Sequence, residues 1–161
     1  MNKKIEKIGL LIVCLAIPLA IGWLGSWLTA SSLNDWYPLL NKPSFNPPNW
    51  LFGPVWTVLY LLMGIAIFMV LSDNSDNRYR RHASISFIAQ LFLNLYWSFL
   101  FFYIKMPSLA FWALISLLSM IIVNAYYFYQ VRNSAAYLCI PYIAWICFAG
   151  LLNYFIWQLN L

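Results

Sequence analysis

Residues 83–129 read ASISFIAQLFLNLYWSFLFFYI, then KMP, then SLAFWALISLLSMIIVNAYYFY. Each of the two long segments lacks Asp, Glu, Lys and Arg and exceeds the roughly 20 residues that a helix needs to cross a bilayer. Both segments are apolar on all sides, whereas the strands of a transmembrane barrel alternate apolar and polar residues. The stretch therefore predicts two transmembrane helices joined by a tight turn.

The same criterion, a long run without acidic or basic residues, finds five segments in the chain. We predict an all-α integral membrane protein in which a single domain, residues 1–161, forms a bundle of five transmembrane helices. The predicted spans are residues 8–29, 51–71, 83–104, 108–129 and 135–159. The first span begins like a signal peptide, but its apolar run exceeds the usual length of about 7–15 residues. We therefore expect it to be retained.

The composition excludes the soluble classes of protein. Of the 161 residues, 64% are hydrophobic and 8% are charged, against about 25% charged residues in an ordinary soluble domain. The net charge is +5. The Lys and Arg residues lie in the N-terminal tail and in the segments between the predicted spans, so they do not form the broad basic face of a nucleic-acid-binding protein. We expect a lipid bilayer as partner and no nucleic acid.

The basic residues are divided unevenly between the two sides of the predicted bundle. With the N-terminus inside, seven Lys and Arg lie on the inner side and two, Lys42 and Lys105, on the outer side. Because cytoplasmic loops are enriched in Lys and Arg, we expect the N-terminus inside and the C-terminus outside. The long first loop, residues 30–50, then lies outside.

Titratable groups are missing from the predicted spans: the four acids and His82 all fall in loops or in the N-terminal tail. Proton relays and ion pathways need ionisable groups within the membrane, and acid–base catalysis needs a positioned titratable group. Both kinds of function are therefore disfavoured. We expect no metal site, no required cofactor and no disulfide among the three cysteines.

Three predicted helices carry aromatic residues on the same face as small or amide residues. Such stripes fit the wall of a flat apolar pocket with a few polar groups, and they equally fit helix–helix packing. Periodicity alone does not separate the two interpretations. The stripes are Trp56, Tyr60 and Gly64; Asn94, Trp97 and Phe101; and Trp145, Ala149 and Leu152.

The predicted first loop is rich in proline and aromatic residues. Five of the eight prolines lie between residues 38 and 54, and proline fixes φ and removes a backbone donor, so we expect a rigid, largely non-helical segment. Its aromatic residues fit the interfacial belt of a membrane protein or a lid over a pocket. The candidate lid residues are Trp36, Tyr37, Pro43, Pro47, Pro48 and Trp50.

The motifs in and after this loop resemble those of the TspO/MBR family, the tryptophan-rich sensory proteins and translocator proteins, called peripheral benzodiazepine receptors in eukaryotes. The blocks are spread from about residue 36 to 157, in an order and spacing that are highly specific. They read WY at 36–37, KPSF at 42–45, PPNW at 47–50, GPVWT at 53–57, QLFLN at 90–94 and PYIAW at 141–145.

The resemblance implies a five-helix bundle, often a homodimer, with a pocket beneath the first loop. Family members bind porphyrins such as protoporphyrin IX and haem, as well as isoquinoline and benzodiazepine drugs, and several bind sterols. Matched motif to motif, the ligand-binding positions fall on Trp56, Asn94, Trp97, Trp145 and Ala149, and Tyr60 completes the Trp56 stripe.

Functions of different classes follow from this resemblance. The first is a receptor or carrier for porphyrins and other flat apolar ligands, with a regulatory role in tetrapyrrole metabolism or stress sensing. The second is light-dependent oxidative degradation of the bound porphyrin, with Trp56 and Trp145 as candidate catalytic residues. Transport of porphyrin or sterol is a third.

The last predicted helix departs from the pattern of the animal members. Gln158 stands where their sterol motif has a basic residue, which weakens the expectation of sterol binding at that position. The short C-terminal tail fits a bacterial member in the cell membrane.

Overall fold

The structure, a computed structural model, describes residues 3–73 and 78–161, and in these ranges it consists of helices and connecting segments. A 3₁₀ turn, Tyr37–Leu39, lies in the first loop, and a π-helical turn, Phe99–Tyr103, continues the third helix. The helices are α1 (Lys3–Asp35), α2 (Asn49–Leu71), α3 (Tyr79–Ser98), α4 (Pro107–Val131), α5 (Asn133–Tyr137) and α6 (Ile140–Leu159).

Within the described ranges, five helical segments are long and apolar enough to cross a membrane, which confirms the predicted architecture. The third segment is α3 together with the π-helical turn, and the fifth is α5 together with α6. The protein is therefore a multi-pass integral membrane protein whose environment is the lipid bilayer.

The first helix corrects one predicted boundary, because α1 continues to Asp35 and so includes residues 30–35 of the predicted first loop. None of these six residues is proline, and the helix ends three residues before Pro38, which lacks the N–H that would continue the helical hydrogen bonds. The loop proper is residues 36–48. Trp50, predicted in the loop, lies in the first turn of α2.

The first loop defines the two ends of the bundle. At its end, called the loop end, α1 and α3 finish, α2 and α4 begin, and α6 finishes. The opposite end, called the basic end, carries the start of α1 and the connections from α2 to α3 and from α4 to α5. Lys42 and Lys105 are the two basic residues of the loop end.

Toward the basic end, α3 and α4 pack closely around a buried core. Val70, Ala83 and Phe128 are almost completely buried there. The Asn124 amide joins the two helices, because its Nδ2 donates to the Ala83 carbonyl at 3.0 Å and to Ser86 Oγ at 2.9 Å. Helix α1 lies at the edge of the bundle and packs mainly on α2.

Candidate ligand-binding site

A cavity of about 570 Å³ lies at the loop end, bounded by α1, α2, the end of α3 with its π-helical turn, and α6. Small-molecule sites in proteins enclose roughly 300–1,000 Å³, so the cavity has the size of a ligand pocket. Aromatic side chains form much of its wall, among them Trp23, Trp50, Phe52, Trp56, Trp97 and Phe101.

Besides Trp23, helix α1 contributes small residues to the wall of the cavity: Gly22, Gly25, Ser26, Thr29 and Ala30. Because their side chains are short, the helix borders the cavity without filling it. None of the predicted site residues lies within residues 8–29, the first predicted span. A signal was present in the recurrence of small residues at helical spacing along the second half of this helix.

Three of the predicted ligand-binding residues meet on one wall of the cavity. The Trp56 ring stacks on Tyr60 with ring centroids 5.5 Å apart, and on Trp97 with centroids 6.3 Å apart. Both separations lie in the range of favourable offset stacking. The α2 and α3 stripes therefore join into one aromatic surface, and all three of its rings line the cavity.

Asn94 lies behind this surface and does not line the cavity. The Tyr60 hydroxyl donates to Asn94 Oδ1 at 2.7 Å, and Asn94 Nδ2 donates to the Tyr142 hydroxyl at 3.1 Å. The amide is buried, and these bonds supply partners for both of its polar atoms, as a buried polar group requires. Direct contact between Asn94 and a ligand stays a prediction, whereas its contact with Tyr60 is part of the fold.

A second amide reaches the cavity wall from α6. Asn153 lines the cavity and accepts a hydrogen bond from Trp97 Nε1 at 3.1 Å, while its Nδ2 donates to the Pro107 carbonyl at 2.7 Å. Asn153 therefore fixes the Trp97 ring and connects α6 to the start of α4. Asn153 is not among the predicted ligand-binding residues, although an amide in an otherwise apolar span is a visible signal.

The two predicted residues of α6 occupy different positions. Ala149 lines the cavity, whereas Trp145 does not. The Trp145 ring contacts Phe52, a cavity residue, with centroids 5.9 Å apart. Trp145 therefore lies one layer behind the wall, beside a shallow apolar groove that includes Pro54 and Pro141. Its role in ligand binding stays a prediction.

The first loop covers the cavity through one buried residue, Tyr37, which lines the wall. The Tyr37 hydroxyl donates to Asn46 Oδ1 at 3.0 Å, and Lys42 Nζ lies 4.7 Å from the centre of the ring. Burial raises the pKa of the Tyr37 phenol, and the hydrogen bond to Asn46 opposes that shift. The ring is thus fixed inside the loop as a neutral group.

The other candidate lid residues have different surroundings. Trp50 lines the cavity from α2. Trp36 packs edge-on against Phe101, with centroids 5.6 Å apart, and is not part of the wall. Pro43, Pro47 and Pro48 shape the loop without lining the cavity.

The loop is also attached to the end of α6. The Asn41 backbone N–H donates to Asn160 Oδ1, and Asn160 Nδ2 donates to the Asn41 carbonyl, both at 2.9 Å. On the other side, Ser32 of α1 donates to the Phe102 carbonyl in the π-helical turn. These bonds connect the structural elements that surround the cavity at this end.

The chain belongs to a class of small membrane proteins with an internal pocket. Its features are five membrane-spanning helices, an aromatic cavity at one end and a proline-rich loop over the cavity. The TspO/MBR family profile matches residues 14–158. The chain belongs to the TspO/MBR family, as the resemblance of its motifs predicted.

Individual relatives are similar over most of their length. The tryptophan-rich protein TspO of Archaeoglobus fulgidus is 41% identical over 150 residues, which cover 93% of this chain and 96% of the relative. The protein of the same name from Chlorobaculum tepidum is 38% identical over 160 residues, covering 99% of both chains. The translocator protein of Bos taurus is 36% identical over 150 residues, covering 89% of this chain and 86% of the relative.

Proposed function

We propose that this protein is a membrane receptor or carrier that binds porphyrins, such as protoporphyrin IX or haem, and other flat apolar ligands in the cavity of the loop end. A regulatory role in tetrapyrrole metabolism or stress sensing would follow from that binding. The observation that carries the proposal is the aromatic surface of Tyr60, Trp56 and Trp97 on one wall of a 570 Å³ cavity.

The chemistry of the wall suits a flat ring with few polar groups. Stacking on an aromatic face contributes about 0.5–1.5 kcal/mol beyond the burial of apolar area, and Trp56 offers the central ring of the surface. The Asn153 amide and the Ser98 hydroxyl lie on the same cavity wall and bring polar atoms to it. They are the groups that would orient a polar edge of the ligand.

A titration in detergent tests the proposal. Protoporphyrin IX is added to the purified protein in darkness while its absorption spectrum and the tryptophan fluorescence are recorded. We expect a saturable shift of the porphyrin band and quenching of tryptophan fluorescence with the same midpoint. A porphyrin spectrum that changes no more than with empty detergent micelles would contradict porphyrin binding.

Light-dependent oxidation of the bound porphyrin by dioxygen is a second candidate function. The stack of Trp56 with Tyr60 and Trp97 favours it, because indole and phenol rings in contact with the cavity would be available as redox partners of an excited porphyrin. The same sample is illuminated with and without oxygen. New absorption bands that need light, oxygen and intact protein favour the oxidation, whereas a spectral shift without product favours binding alone.

We also propose an orientation in the cell membrane. The N-terminus lies on the inner side of the membrane, and the cavity lies near the outer side. The support is the seven-to-two division of Lys and Arg between the basic end and the loop end. A reporter fused after Leu161 should be active only on the outer face of the membrane. Activity on the inner face would reverse the orientation.

Finally, we propose a homodimer, as is frequent in the family. The family is the support for this proposal, since the apolar residues that α1 exposes, including Ile12, Val13 and Ile17, suit lipid as well as a second copy. Light scattering in detergent, corrected for the bound micelle, should give twice the 18.8 kDa mass of one chain. A mass of one chain at all protein concentrations would contradict the dimer.

A further inference from the structure

The closest approach of α1 to the aromatic surface is at Gly22. A Cβ atom added to this glycine would lie 2.4 Å from Cε2 and 2.6 Å from Cδ2 of the Tyr60 ring. Both distances are far below the roughly 3.5–4.0 Å of an ordinary carbon–carbon contact. The edge of the Tyr60 ring therefore lies directly on the α1 backbone, in space that only a glycine leaves open.

Tyr60 is held from two further directions. Its hydroxyl donates to the buried Asn94 amide at 2.7 Å, and its ring face stacks on Trp56. A displacement away from α1 would therefore strain the hydrogen bond to Asn94 or push the ring against Trp56. Because Tyr60 and Trp56 both line the cavity, either response changes the shape of the wall.

We infer that Gly22 is a specificity-determining residue, which acts by positioning Tyr60 and thereby sets the width of the cavity between α1 and α2. The inference rests on the proposed function, since it concerns the flat ligand of the same cavity. Gly22 itself need not interact with that ligand. It affects binding through the Tyr60 ring, which can contact the α1 backbone only because residue 22 has no side chain.

Two other glycines of the chain provide matched controls. A Cβ at Gly9, also on α1, would meet nothing within 4 Å. A Cβ at Gly64 of α2 would lie 2.7 Å from the Cys14 carbonyl oxygen and 2.9 Å from Leu15 Cα. Gly64 is thus a second close crossing of α1 and α2, but its neighbours include backbone atoms and neither Cys14 nor Leu15 lines the cavity.

The experiment measures the protoporphyrin IX affinity and the melting temperature of Gly22→Ala, Gly9→Ala and Gly64→Ala in detergent. We expect Gly22→Ala to lose affinity by about tenfold, as overpacking at a tight contact would produce. Gly9→Ala should bind like the wild type. Gly64→Ala should melt at a lower temperature while its folded fraction keeps the wild-type affinity.

Shortening Tyr60 separates positioning from a general structural role. In a Tyr60→Ala background the clashing ring atoms Cδ2 and Cε2 are absent, so adding Gly22→Ala should change the affinity by less than about twofold. This comparison also applies if Gly22→Ala alone fails to fold, because the double variant should then fold. A double variant that still fails to fold, while Tyr60→Ala folds, would overturn the inference.

The remaining outcomes are distinguishable. If the wild type binds porphyrin and Gly22→Ala binds as well as Gly9→Ala, the inference is wrong and the proposed function stands. An equal loss of affinity on adding Gly22→Ala to the wild type and to the Tyr60→Ala variant would likewise overturn it. If the wild type does not bind porphyrin, the proposed function fails and the inference fails with it.

Discussion

The two ends of the bundle are built from similarly apolar sequence, yet one is filled and the other is hollow. At the basic end, Ala83 lets α3 and α4 approach, and Phe128 fills the remaining space. At the loop end, bulky Trp56 and Trp97 and the small residues of α1 line a 570 Å³ cavity. Hydrophobicity thus places the helices in the membrane, whereas the sizes of facing side chains decide where the interior stays open.

The largest effect on stability is expected at the filled end. Phe128→Ala removes a buried ring that stacks on Phe87 with centroids 6.2 Å apart, and truncation of a core Phe costs about 3–5 kcal/mol. Thermal unfolding in detergent should show a large drop in Tm, while the folded variant keeps the porphyrin affinity of the wild type. A loss of affinity in the folded variant would mean that the two ends are energetically coupled.

The next largest effect on stability is expected when the Asn153 amide at the loop end is removed. Asn153→Ala leaves the Trp97 N–H and the Pro107 carbonyl without their present partners, at a cost of about 1–3 kcal/mol for a buried unsatisfied group. Because the Trp97 ring is released, porphyrin affinity should fall along with Tm. The control is Asn124→Ala at the filled end, which should lower Tm alone. Equal losses of affinity in both variants would remove the distinction between the ends.

A smaller effect is expected within the aromatic surface. Trp56→Phe keeps an apolar ring but loses stacking area, so binding should weaken several-fold, in line with about 0.5–1.5 kcal/mol for an aromatic pair. Trp145→Phe should weaken binding less, because Trp145 lies behind Phe52. Trp112→Phe, at a largely exposed position, is the control and should bind normally.

The measurement is porphyrin affinity for the three variants, with folding checked by circular dichroism. If Trp145→Phe weakens binding as much as Trp56→Phe does, Trp145 contributes to the site despite its place in the second layer. If Trp112→Phe is equally harmful, the tryptophans act on the fold and not on the ligand.

The smallest effect concerns the attachment of the loop. Asn160→Ala removes two hydrogen bonds between Asn160 and Asn41, each worth about 0.5–1.5 kcal/mol. Hydrogen exchange of residues 36–48 should become faster, and bound porphyrin should slow it again. Exchange that is unchanged by the substitution and by porphyrin would make the loop a connector without a lid function.

The sequence was sufficient to predict the five spans, because the runs free of charged residues are long and well separated. It was misleading at the end of α1, where five of residues 30–35 are polar or small and suggest a loop, although the segment contains no proline or glycine. The composition of a segment does not determine where a helix ends. Here α1 ends shortly before Pro38, which has no N–H to continue the helix.

For the site, helical spacing correctly grouped Trp56 with Tyr60 and placed Trp97 on the wall that they share. Spacing did not predict that Asn94 and Trp145 lie behind that wall, or that α1 also lines the cavity. Periodicity gives the face of a single helix. It does not give the contacts between two helices, because these depend on how closely the helices approach. Between α1 and α2, contacts such as that of Gly22 with Tyr60 set this distance.

Two neighbouring residues of α6 allow the most direct test of the cavity as the ligand site. Ala149 lines the cavity, whereas a Cβ at Gly150 would meet nothing within 4 Å. Ala149→Thr and Gly150→Ser each add two heavy atoms to the same turn of helix, and protoporphyrin IX is titrated into both. Because only the first fills the cavity, we expect Ala149→Thr to bind about tenfold more weakly, within the overpacking cost of about 1–3 kcal/mol, and Gly150→Ser to bind like the wild type. Wild-type affinity in both variants, with both folded, would contradict porphyrin binding in this cavity.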